Sequence, residues 1–457
     1  MSQIVRQESP LNTEPRTKEL ASSFITPNEL IFIRNHDSVI HADTPSSSEA
    51  GWSISISVDQ DESLQALNLS QQSLSLESLK KDRQLIEVVA TLECAGNRRA
   101  ELASSHQPAE GIQWGNAVIA NVIWGGASLR SVLLAAGLPD PFQHHSDLTS
   151  LEPSSEASLS DSAEWARSLH LHLYSAQEST ESDDSTHKEY FAASIPLTTA
   201  MHPNQHCLLA YQYNHAPLTQ RHGAPLRAII PGHVGARWVK WLNGLKISTR
   251  ENDSPPMRQD YKLLVPSHAQ ANTQAEEKKY SNKASHDPEF RKQQLHQERP
   301  LQRLEASCSI TQPWQDGQSL RVSAEGTIEV KGYAVGQDGS PATHVYVAMV
   351  PDPDGQEKST EDLLTSLPAG LEWKQAEIHT QGSTQRRLSG AEASSKWSWA
   401  WTLWHLTPPA PTSDGKWALI VRCVTASGVQ QQKISDWNLR GFHNRSWSVV
   451  RNLSVQA

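Results

Sequence analysis

The sequence predicts an α+β protein in which a mixed α/β domain is followed by an all-β sandwich. In the first half, short apolar runs at residues 30–33, 85–92 and 208–211 are typical of buried strands. Between them, the apolar spacing at residues 128–137 is that of a helix that ends at Gly137. After residue 307 the pattern changes to alternation of apolar and polar residues, which is typical of antiparallel sheets.

The alternating half provides the strands of the predicted sandwich. Residues 327–335 and 342–350 alternate and are separated by the turn-forming sequence GQDGSP, so they predict a β-hairpin. Further strands are predicted at residues 396–403 and 416–424. These strands form an antiparallel pattern that indicates a sandwich of about 150 residues.

A polar stretch separates the two halves. Residues 267–302 contain few apolar side chains, which indicates a polar linker or insertion. A chain of 457 residues is long enough for two or three domains. We therefore expect a flexible N-terminal tail at residues 1–23, an α/β domain at residues 24–266, this linker, and a β-sandwich at residues 303–457.

Charge and composition exclude several classes of partner. The net charge is −10, so no overall positive field attracts nucleic acid or an anionic membrane surface. No apolar run approaches the roughly 20 residues that span a bilayer, and the N-terminus lacks the apolar core of a secretory signal. The four cysteines are far apart without a CxxC pair, which indicates a reducing compartment. We expect an intracellular protein, cytoplasmic or organellar, with the mitochondrial intermembrane space and the peroxisome both open.

Cys94 is the first candidate for a chemical role. It follows the predicted strand at residues 85–92 and precedes a sequence that must turn, so we expect it at a strand end, where sites are often built. Two arginines follow closely, and nearby positive charge favours the thiolate that binds metals. A buried structural cysteine is the simpler interpretation of the spacing alone. The residue pattern by itself leaves both interpretations open.

The sequence around Cys94, CAGNRR at residues 94–99, resembles the molybdenum-ligand motif of the sulfite oxidase family. Further blocks resemble the motifs of that family in the family's order: FIRNH (32–36), GIQW (111–114), NVIWGG (121–126), HGAPLR (222–227), PGHVGARWVKWL (231–242), DYK (260–262) and WNLRG (437–441). Together the blocks extend over about 410 residues, which makes the resemblance specific.

The resemblance implies a function and a domain organisation. It implies a molybdopterin-binding catalytic domain at residues 24–266, an immunoglobulin-like dimerisation domain at residues 303–457, and a homodimer. The implied reaction is the molybdenum-dependent oxidation of sulfite to sulfate, with molybdenum–molybdopterin as the cofactor. We expect no haem, because no His-Pro-Gly-Gly haem motif occurs. The electrons would pass to oxygen or to a separate acceptor such as a cytochrome.

By the same resemblance, Cys94 is the sole protein ligand of the metal, and a soft thiolate suits such a centre. The residues implied to hold the cofactor, with donors that match a phosphate, are Phe32, Ile33, Arg34, Asn35, His36, His222, Arg227, Trp238, Val239 and Lys240. An acidic residue is also expected to contact the cofactor. Glu178 is the first candidate for this contact, and Asp183 and Asp184 are the alternatives.

The implied substrate pocket consists of Arg34, Arg99, Arg440, Trp114 and Tyr261. Three guanidinium groups in one small space are costly unless a dianion lies between them. This is a physical reason to expect sulfite or a similar oxyanion as the substrate. Tyr261 can donate a hydrogen bond to such an oxyanion.

Two other functions remain open at this point. Nitrate reductases share this molybdenum domain, but they typically carry another residue at the position of Arg440 and add haem and flavin domains, for which we expect no room in this chain. The other alternative is a scaffold or binding protein that keeps the fold without the cofactor. The presence of Cys94, the three arginines and Tyr261 argues against it.

Overall fold

The computed structural model describes residues 3–40, 49–67, 69, 72–105, 107–143, 161–179, 188–271, 273–355, 357–379 and 397–456. In chain order, its strands are β1 (Gln3–Gln7), β2 (Asn12–Pro15), β3 (Ser53–Val58), β4 (Gln72–Ser75), β5 (Ile86–Glu93), β6 (Ile119–Ser128), β7 (His170–Ser179), β8 (Glu189–Pro196), β9 (Leu208–Tyr213), β10 (Ala216–Pro217), β11 (Arg227–Ile229), β12 (Leu242–Ser248), β13 (Ser307–Gln312), β14 (Ser319–Arg321), β15 (Val330–Val335), β16 (Ala342–Pro351), β17 (Lys374–Gln375), β18 (Glu377–His379), β19 (Thr402–Leu406), β20 (Trp417–Thr425) and β21 (Ser448–Gln456). Its α-helices are α1 (Thr17–Leu20), α2 (Leu76–Asp82), α3 (Arg99–Ser105), α4 (Leu129–Ala135), α5 (Leu197–Met201), α6 (Gln274–His286), α7 (Pro288–Gln297) and α8 (Thr360–Thr365). Among these residues, no helix has the length and apolar character needed to cross a membrane.

The first half of the chain folds around two five-stranded sheets. One sheet has the order β10-β9-β6-β5, with β11 also paired to β9, and its pairings are antiparallel. The other has the order β4-β3-β12-β7-β8, in which β12 and β3 are parallel. Their side chains share one apolar core that includes Trp124, Trp238 and Trp241. The predicted mixed α/β fold is confirmed.

Most of the elements predicted in this half are present. The run at residues 85–92 forms β5, the run at 208–211 begins β9, and the helix predicted at 128–137 is α4. The Ser128 hydroxyl caps α4, and Gly137 follows it with a positive φ of 100°. The run at residues 30–33 is not a strand, because Ile33 makes only an isolated bridge with Thr13. Burial of its side chains, rather than strand pairing, accounts for its apolar character.

The flexible tail expected at residues 1–23 is folded over its described part. β1 and β2 form an antiparallel pair, and Asn12, Thr13 and Glu14 are buried. The Glu14 carboxylate accepts hydrogen bonds from Arg6 (2.6 Å) and from the Gly115 N–H (2.9 Å). Polar contacts with the rest of the domain hold this segment, so its low hydrophobicity was a poor guide.

The second half is a sandwich of two sheets, with strand orders β13-β15-β19-β18 and β14-β21-β20-β16-β17. The predicted β-sandwich is confirmed, with one short helix, α8, in addition, but the predicted hairpin is wrong. β15 and β16 cover the two alternating runs and lie in different sheets, although Gln337 and Ser340 do pair in the turn between them. An alternating pattern shows only that one face of a strand is buried. Strands of both sheets in a sandwich have one buried face, so the pattern does not tell which sheet a strand joins.

A tryptophan-rich segment joins the two halves. The strand expected at residues 396–403 begins only at Thr402, as β19. Before it, Trp397 and Trp401 pack with Phe24, and Trp399 belongs to the core of the first half. These apolar side chains are therefore buried between the two halves instead of in a sheet.

The linker expected at residues 267–302 forms the helices α6 and α7. A capping box at Thr273 begins α6, and Asp287 caps α7. The apolar side chains of this segment are few, but Tyr280 and Leu295 pack in one cluster with Leu439. Caps and helix propensity, more than hydrophobicity, stabilise these helices, which is why composition alone indicated a linker.

Candidate active site

Cys94 lies directly after β5 in a turn that is held from several sides. Its N–H donates to the Val118 carbonyl (3.0 Å), and its own carbonyl accepts from the Asn97 N–H (2.9 Å). The Asn97 amide group donates to the Glu93 carboxylate (3.0 Å) and to the Tyr333 hydroxyl (3.1 Å). The turn predicted after this strand is therefore present, and Asn97 fixes its shape.

The Cys94 residue is buried, with 8% of its surface exposed. Burial raises the pKa of its thiol, and the opposing effects of Arg34, the Gly96 N–H and Arg99 are smaller. Arg99 does lower this pKa, as expected, but burial outweighs it. Arg98 instead pairs with a carboxylate of α3. A metal cation would replace the thiol proton and so remove this penalty.

A cavity beside Cys94 brings together motifs that are far apart in the sequence. The residues that line it are Phe32, Arg34, His36, Leu92, Cys94, Ser175, Gln177, Phe191, Arg221, His222, Arg227, Gly235, Ala236, Trp238, Lys240 and Tyr261. Most of the residues predicted to hold the cofactor are among them.

Part of this cavity is lined by two cations, the buried Arg227 and the partly buried Lys240. Arg227 donates to the carbonyls of Trp238 and His222 (both 3.1 Å), and Lys240 donates to the Arg34 carbonyl (3.0 Å). Burial lowers the pKa of Arg227 to about 9, and burial with the charges of Arg227 and Arg34 lowers the pKa of Lys240 well below its usual range. No carboxylate among the described residues forms an ion pair with either cation. An anionic group such as a phosphate would complete this part of the cavity.

His222 and Asn35 lie beside these cations. The His222 Nδ1 is 2.8 Å from the Thr219 hydroxyl, and burial together with the charges of Arg227 and Lys240 lowers the pKa of His222 to about 3. The imidazole is therefore neutral. The Asn35 side-chain oxygen accepts a hydrogen bond from the Lys240 ammonium group, which fixes that group beside the cavity.

The three arginines predicted for the substrate come from three distant segments. Arg34 and Arg99 lie near Cys94, and Arg440 lies next to Arg99. Arg99 donates from Nε to the Arg440 carbonyl (2.8 Å), and the Arg440 guanidinium forms an ion pair with Asp260. Burial, with the charges of Arg440 and Arg34, lowers the pKa of Arg99 to about 10. Burial opposes ionisation of Asp260, but the surrounding cations hold its pKa below the usual range. The local charge is positive, because Arg440 pairs with Asp260 and the charges of Arg34 and Arg99 act on the same carboxylate.

Tyr261 contacts His36 at the same place. The Tyr261 hydroxyl lies 2.5 Å from His36 Nε2, which is also 3.5 Å from an Asp260 carboxylate oxygen. Burial and the charge of Arg34 lower the pKa of His36 to about 3, so its ring is neutral. Burial raises the pKa of Tyr261 far above its usual value. The Tyr261 hydroxyl therefore keeps its proton and can act as a hydrogen-bond donor.

Several of the predicted residues do not line this cavity: Ile33, Asn35, Arg99, Trp114, Val239 and Arg440. Ile33 pairs through its backbone with Thr13, and the Val239 carbonyl accepts from the Ala228 N–H (2.9 Å). Trp114 is 1% exposed and packs beside the Cys94 turn. Ile33, Trp114 and Val239 support the walls of the site.

Glu178 is not brought into the cavity. It is half exposed and pairs with Lys188 (2.8 Å), whereas its neighbour Gln177 lines the cavity. Successive side chains of a strand point to opposite faces, which explains the difference. Asp183 and Asp184, the alternatives to Glu178, lie outside the described residues.

Sequence reasoning missed Asp260 and Phe442. The Phe442 ring lies against the guanidinium groups of Arg99 (4.9 Å) and Arg440 (5.2 Å). A carboxylate directly before Tyr261 was a usable signal for Asp260. The sequence gives no comparable signal for Phe442, because most phenylalanines are buried in a hydrophobic core and have no role in a site.

Comparison with known proteins gives two family matches. Residues 41–256 match the oxidoreductase molybdopterin binding domain, and residues 354–453 match the Mo-co oxidoreductase dimerisation domain. The chain is 31% identical to the sulfite oxidase of Gallus gallus, over 97% of this chain and 76% of that protein. It belongs to the sulfite oxidase family. The dimerisation-domain match indicates that this family member is a homodimer.

Two further relatives agree with the family assignment. The sulfite oxidase of Arabidopsis thaliana is 30% identical, over 98% of this chain and 92% of that protein. The sulfane dehydrogenase SoxCD from Paracoccus pantotrophus has the same fold, with a TM-score of 0.62 at 20% identity over 99% of this chain and 89% of that chain. As a sulfite oxidase family member with a molybdopterin-binding domain, the protein is an oxidoreductase with a molybdenum–molybdopterin cofactor.

The residues of the cavity fit this cofactor of the sulfite oxidase family. Arg227 and Lys240 have no carboxylate partner among the described residues, and they match the charge of the pterin phosphate. The thiol of Cys94 lies in the same cavity and is a suitable soft ligand for molybdenum.

Proposed function

We propose that this protein oxidises sulfite to sulfate at a molybdenum centre held by Cys94. The observation that carries the proposal is the grouping of Arg34 and Arg99 near this thiol, with Arg440 next to Arg99. Three guanidinium groups against the single charge of Asp260 favour a small, doubly charged anion. Sulfite has this charge and size, and its oxygen atoms match the donors of guanidinium groups.

The cofactor and the protein have separate tasks in this reaction. When bound, molybdenum–molybdopterin supplies the oxygen transfer and accepts two electrons. Arg227, Lys240 and neutral His222 would hold its phosphate, and Cys94 would ligate the metal. Phe32 and Trp238 would form apolar walls of the same cavity.

The protein groups at the substrate orient it and balance its charge. Arg34, Arg99 and Arg440 would bind the oxyanion, and Asp260 would orient Arg440 through their ion pair. Tyr261 would donate a hydrogen bond to a substrate oxygen, because its high pKa keeps the hydroxyl protonated. These preorganised donors need no rearrangement when the negative charge of the substrate arrives.

The electron acceptor is the least constrained part of the proposal. We propose that the electrons pass to oxygen or to a separate acceptor such as a cytochrome, without a haem of the chain's own. The sequence contains no His-Pro-Gly-Gly motif, which supports this choice. Comparing sulfite-dependent oxygen consumption with the reduction of cytochrome c and ferricyanide would identify the acceptor.

Turnover of the protein made in a molybdopterin-producing host tests the function. We expect sulfite-dependent reduction of ferricyanide by the wild type, and a loss of at least about 1,000-fold in Cys94→Ser, because the metal ligand is removed. Cys207→Ser is the matched control, since Cys207 is also buried but lies outside the cavity. It should keep its turnover.

Three results would contradict the proposal. Wild-type turnover in Cys94→Ser would reject the ligand assignment. Reduction of nitrate by reduced viologen that exceeds the oxidation of sulfite would indicate a nitrate reductase-like enzyme. Elemental analysis that finds no molybdenum would favour a cofactor-free scaffold.

A further inference from the structure

Helices α6 and α7 together form a unit, the α6–α7 hairpin, that packs on both segments carrying substrate arginines. Tyr280 of α6 and Leu295 of α7 share an apolar cluster with Leu102 of α3, the helix that begins at Arg99. The same cluster contains Leu439, which directly precedes the arginine of the WNLRG motif. The hairpin is therefore in contact with two walls of the substrate site.

Glu110 connects the α6–α7 hairpin to the loop between α3 and β6. Its carboxylate accepts hydrogen bonds from Arg291 (2.8 and 3.3 Å) and from the Ser285 hydroxyl (2.9 Å), and its N–H donates to the Leu439 carbonyl (2.8 Å). The side chains of Arg291 and Glu110 are 24% and 32% exposed. Burial opposes ionisation of Glu110, but Arg291 and Ser285 hold its pKa below the usual range. The ion pair is therefore intact at neutral pH.

The same loop holds the side chain of Arg99. Arg99 Nη1 donates to the Ile112 carbonyl (2.6 Å), and its Nε donates to the Arg440 carbonyl (2.8 Å). Gly111 has a φ of 99°, and a Cβ there would lie 2.8 Å from Arg99 Nη1, so only glycine allows this close approach. Residues 110–112 thus contact α7 on one side and a substrate arginine on the other.

A cavity of about 750 Å³ lies on the outer side of the substrate arginines. Arg440 and Asp260 line it together with Arg291, Lys292 and Glu289 of α7. The cavity therefore joins the α6–α7 hairpin to the Arg440–Asp260 pair.

We propose that Glu110 and Arg291 are positioning residues that set the affinity of the site for its dianionic substrate, a role that rests on the proposed function. Their ion pair holds the backbone that binds Arg99 and the carbonyl next to Arg440. Without it, both guanidinium groups lose part of their fixed geometry, while Cys94 and the cofactor cavity keep their contacts. Substrate binding then weakens more than the chemical step.

The test uses the cofactor-loaded dimer and the variants Glu110→Gln and Arg291→Met. We expect each to raise the KM for sulfite about fivefold while kcat per molybdenum changes less than about twofold. Calorimetry with sulfate, an oxyanion of the same charge, should show its Kd raised by the same factor. Arg291→Lys keeps the charge and should give an intermediate KM. As the matched control, Asp354→Asn breaks the 2.8 Å pair with Lys358 in the sandwich and should leave KM unchanged.

Two results would overturn the positioning role. One is a wild-type KM and sulfate Kd in both variants. The other is a fall in kcat with an unchanged KM, as a merely structural loosening would give. If the wild type itself does not oxidise sulfite, the proposed function fails instead, and the sulfate calorimetry on the same variants still decides the positioning role.

Discussion

Buried arginines in the two halves of the molecule have different partners. In the sandwich, Arg451 forms a two-point ion pair with Asp352 (2.6 and 3.2 Å), and the two side chains are 6% and 2% exposed. In the cavity of the first half, Arg227 is 5% exposed, but its hydrogen bonds go to the carbonyls of Trp238 and His222. The charge of Arg451 is therefore neutralised by a carboxylate of the protein, whereas the charge of Arg227 is not.

The difference separates structural charge from functional charge. Removing a charge from water costs several kcal/mol, and a buried partner of opposite sign recovers much of this cost. Arg451 has such a partner, so the folded chain alone accounts for it. Arg227 lacks one among the described residues, and its two carbonyl acceptors carry no net charge, so a bound anion would recover more of this cost. The burial of Arg227 therefore indicates a ligand, whereas the burial of Arg451 indicates stability.

The largest predicted effect is on stability and compares Arg451→Met with Arg227→Met. Arg451→Met leaves Asp352 buried without a partner, so we expect a loss of about 3–5 kcal/mol in the free energy of unfolding. In cofactor-free protein, Arg227→Met removes an unpaired charge and should cost no more than about 1 kcal/mol. Urea unfolding followed by tryptophan fluorescence measures both. Arg321→Met, at an exposed strand position, corrects for the substitution itself.

Equal losses in the two variants would contradict the distinction between paired and unpaired arginines. Arg227→Met should in addition lower the molybdenum content of protein made in a molybdopterin-producing host. Arg451→Met should leave the molybdenum content per folded chain unchanged, because Arg451 is not part of the cavity.

The second prediction concerns acid, because the first half also buries neutral histidines. Burial lowers the pKa of His233 to about 4, from roughly 6.5 in an unfolded chain. Its contribution to stability is complete above pH 6.5 and is lost as the pH falls toward 4, since only the unfolded chain takes up the proton there. This amounts to about 2 kcal/mol at pH 5. The free energy of unfolding, measured with urea, should therefore fall by about 2 kcal/mol less between pH 7.5 and pH 5 in His233→Asn than in the wild type.

An exposed histidine of the sandwich provides the control for acid. His344 is exposed on β16, so His344→Asn measures the effect of the same substitution at a surface position. If His233→Asn keeps the full loss of stability between pH 7.5 and pH 5, burial of neutral His233 does not cause the acid sensitivity.

The sequence predicted much of the fold because local patterns have direct physical causes. A short apolar run predicted β5. Helical spacing of apolar residues, together with Ser128 at the start and Gly137 after the end, predicted α4. The hairpin prediction failed because alternation shows which face of a strand is buried but not which sheet it joins. The helices at 274–297 were missed because caps and propensity, rather than apolar residues, define them.

The site was predicted better than its chemistry. The motifs named Cys94 and the three arginines, and in the structure Arg99 has Cys94, Arg34 and Arg440 as charged neighbours; their roles stay predictions. The thiol pKa depends on burial against charge, and sequence order does not give that balance. The choice of Glu178 failed because one step along a strand reverses the side chain, so Gln177 lines the cavity instead. Asp260 was missed because its partner Arg440 is far away in the sequence.

The smallest predicted effect tests the unneutralised cations of the cavity directly. Inorganic phosphate should bind cofactor-free protein beside Arg227 and Lys240, because it supplies the missing negative charge. At ten times its Kd, phosphate should stabilise the folded state by about 1.4 kcal/mol, which raises the Tm by about 1.5 °C in a chain of 457 residues. Differential scanning fluorimetry over a phosphate series measures this shift.

Two controls test whether the phosphate binds beside Arg227 and Lys240: the variant Lys240→Gln and the cofactor-loaded protein. Lys240→Gln keeps an amide donor but removes the charge, so it should reduce the phosphate shift to less than half. Cofactor-loaded protein should show no shift, because the cofactor phosphate already occupies the position. A shift that persists in both would place the phosphate elsewhere, for example at Arg422 or other cations of the sandwich. The cavity cations would then have to be explained without an anionic ligand, and the contrast with Arg451 would no longer separate function from stability.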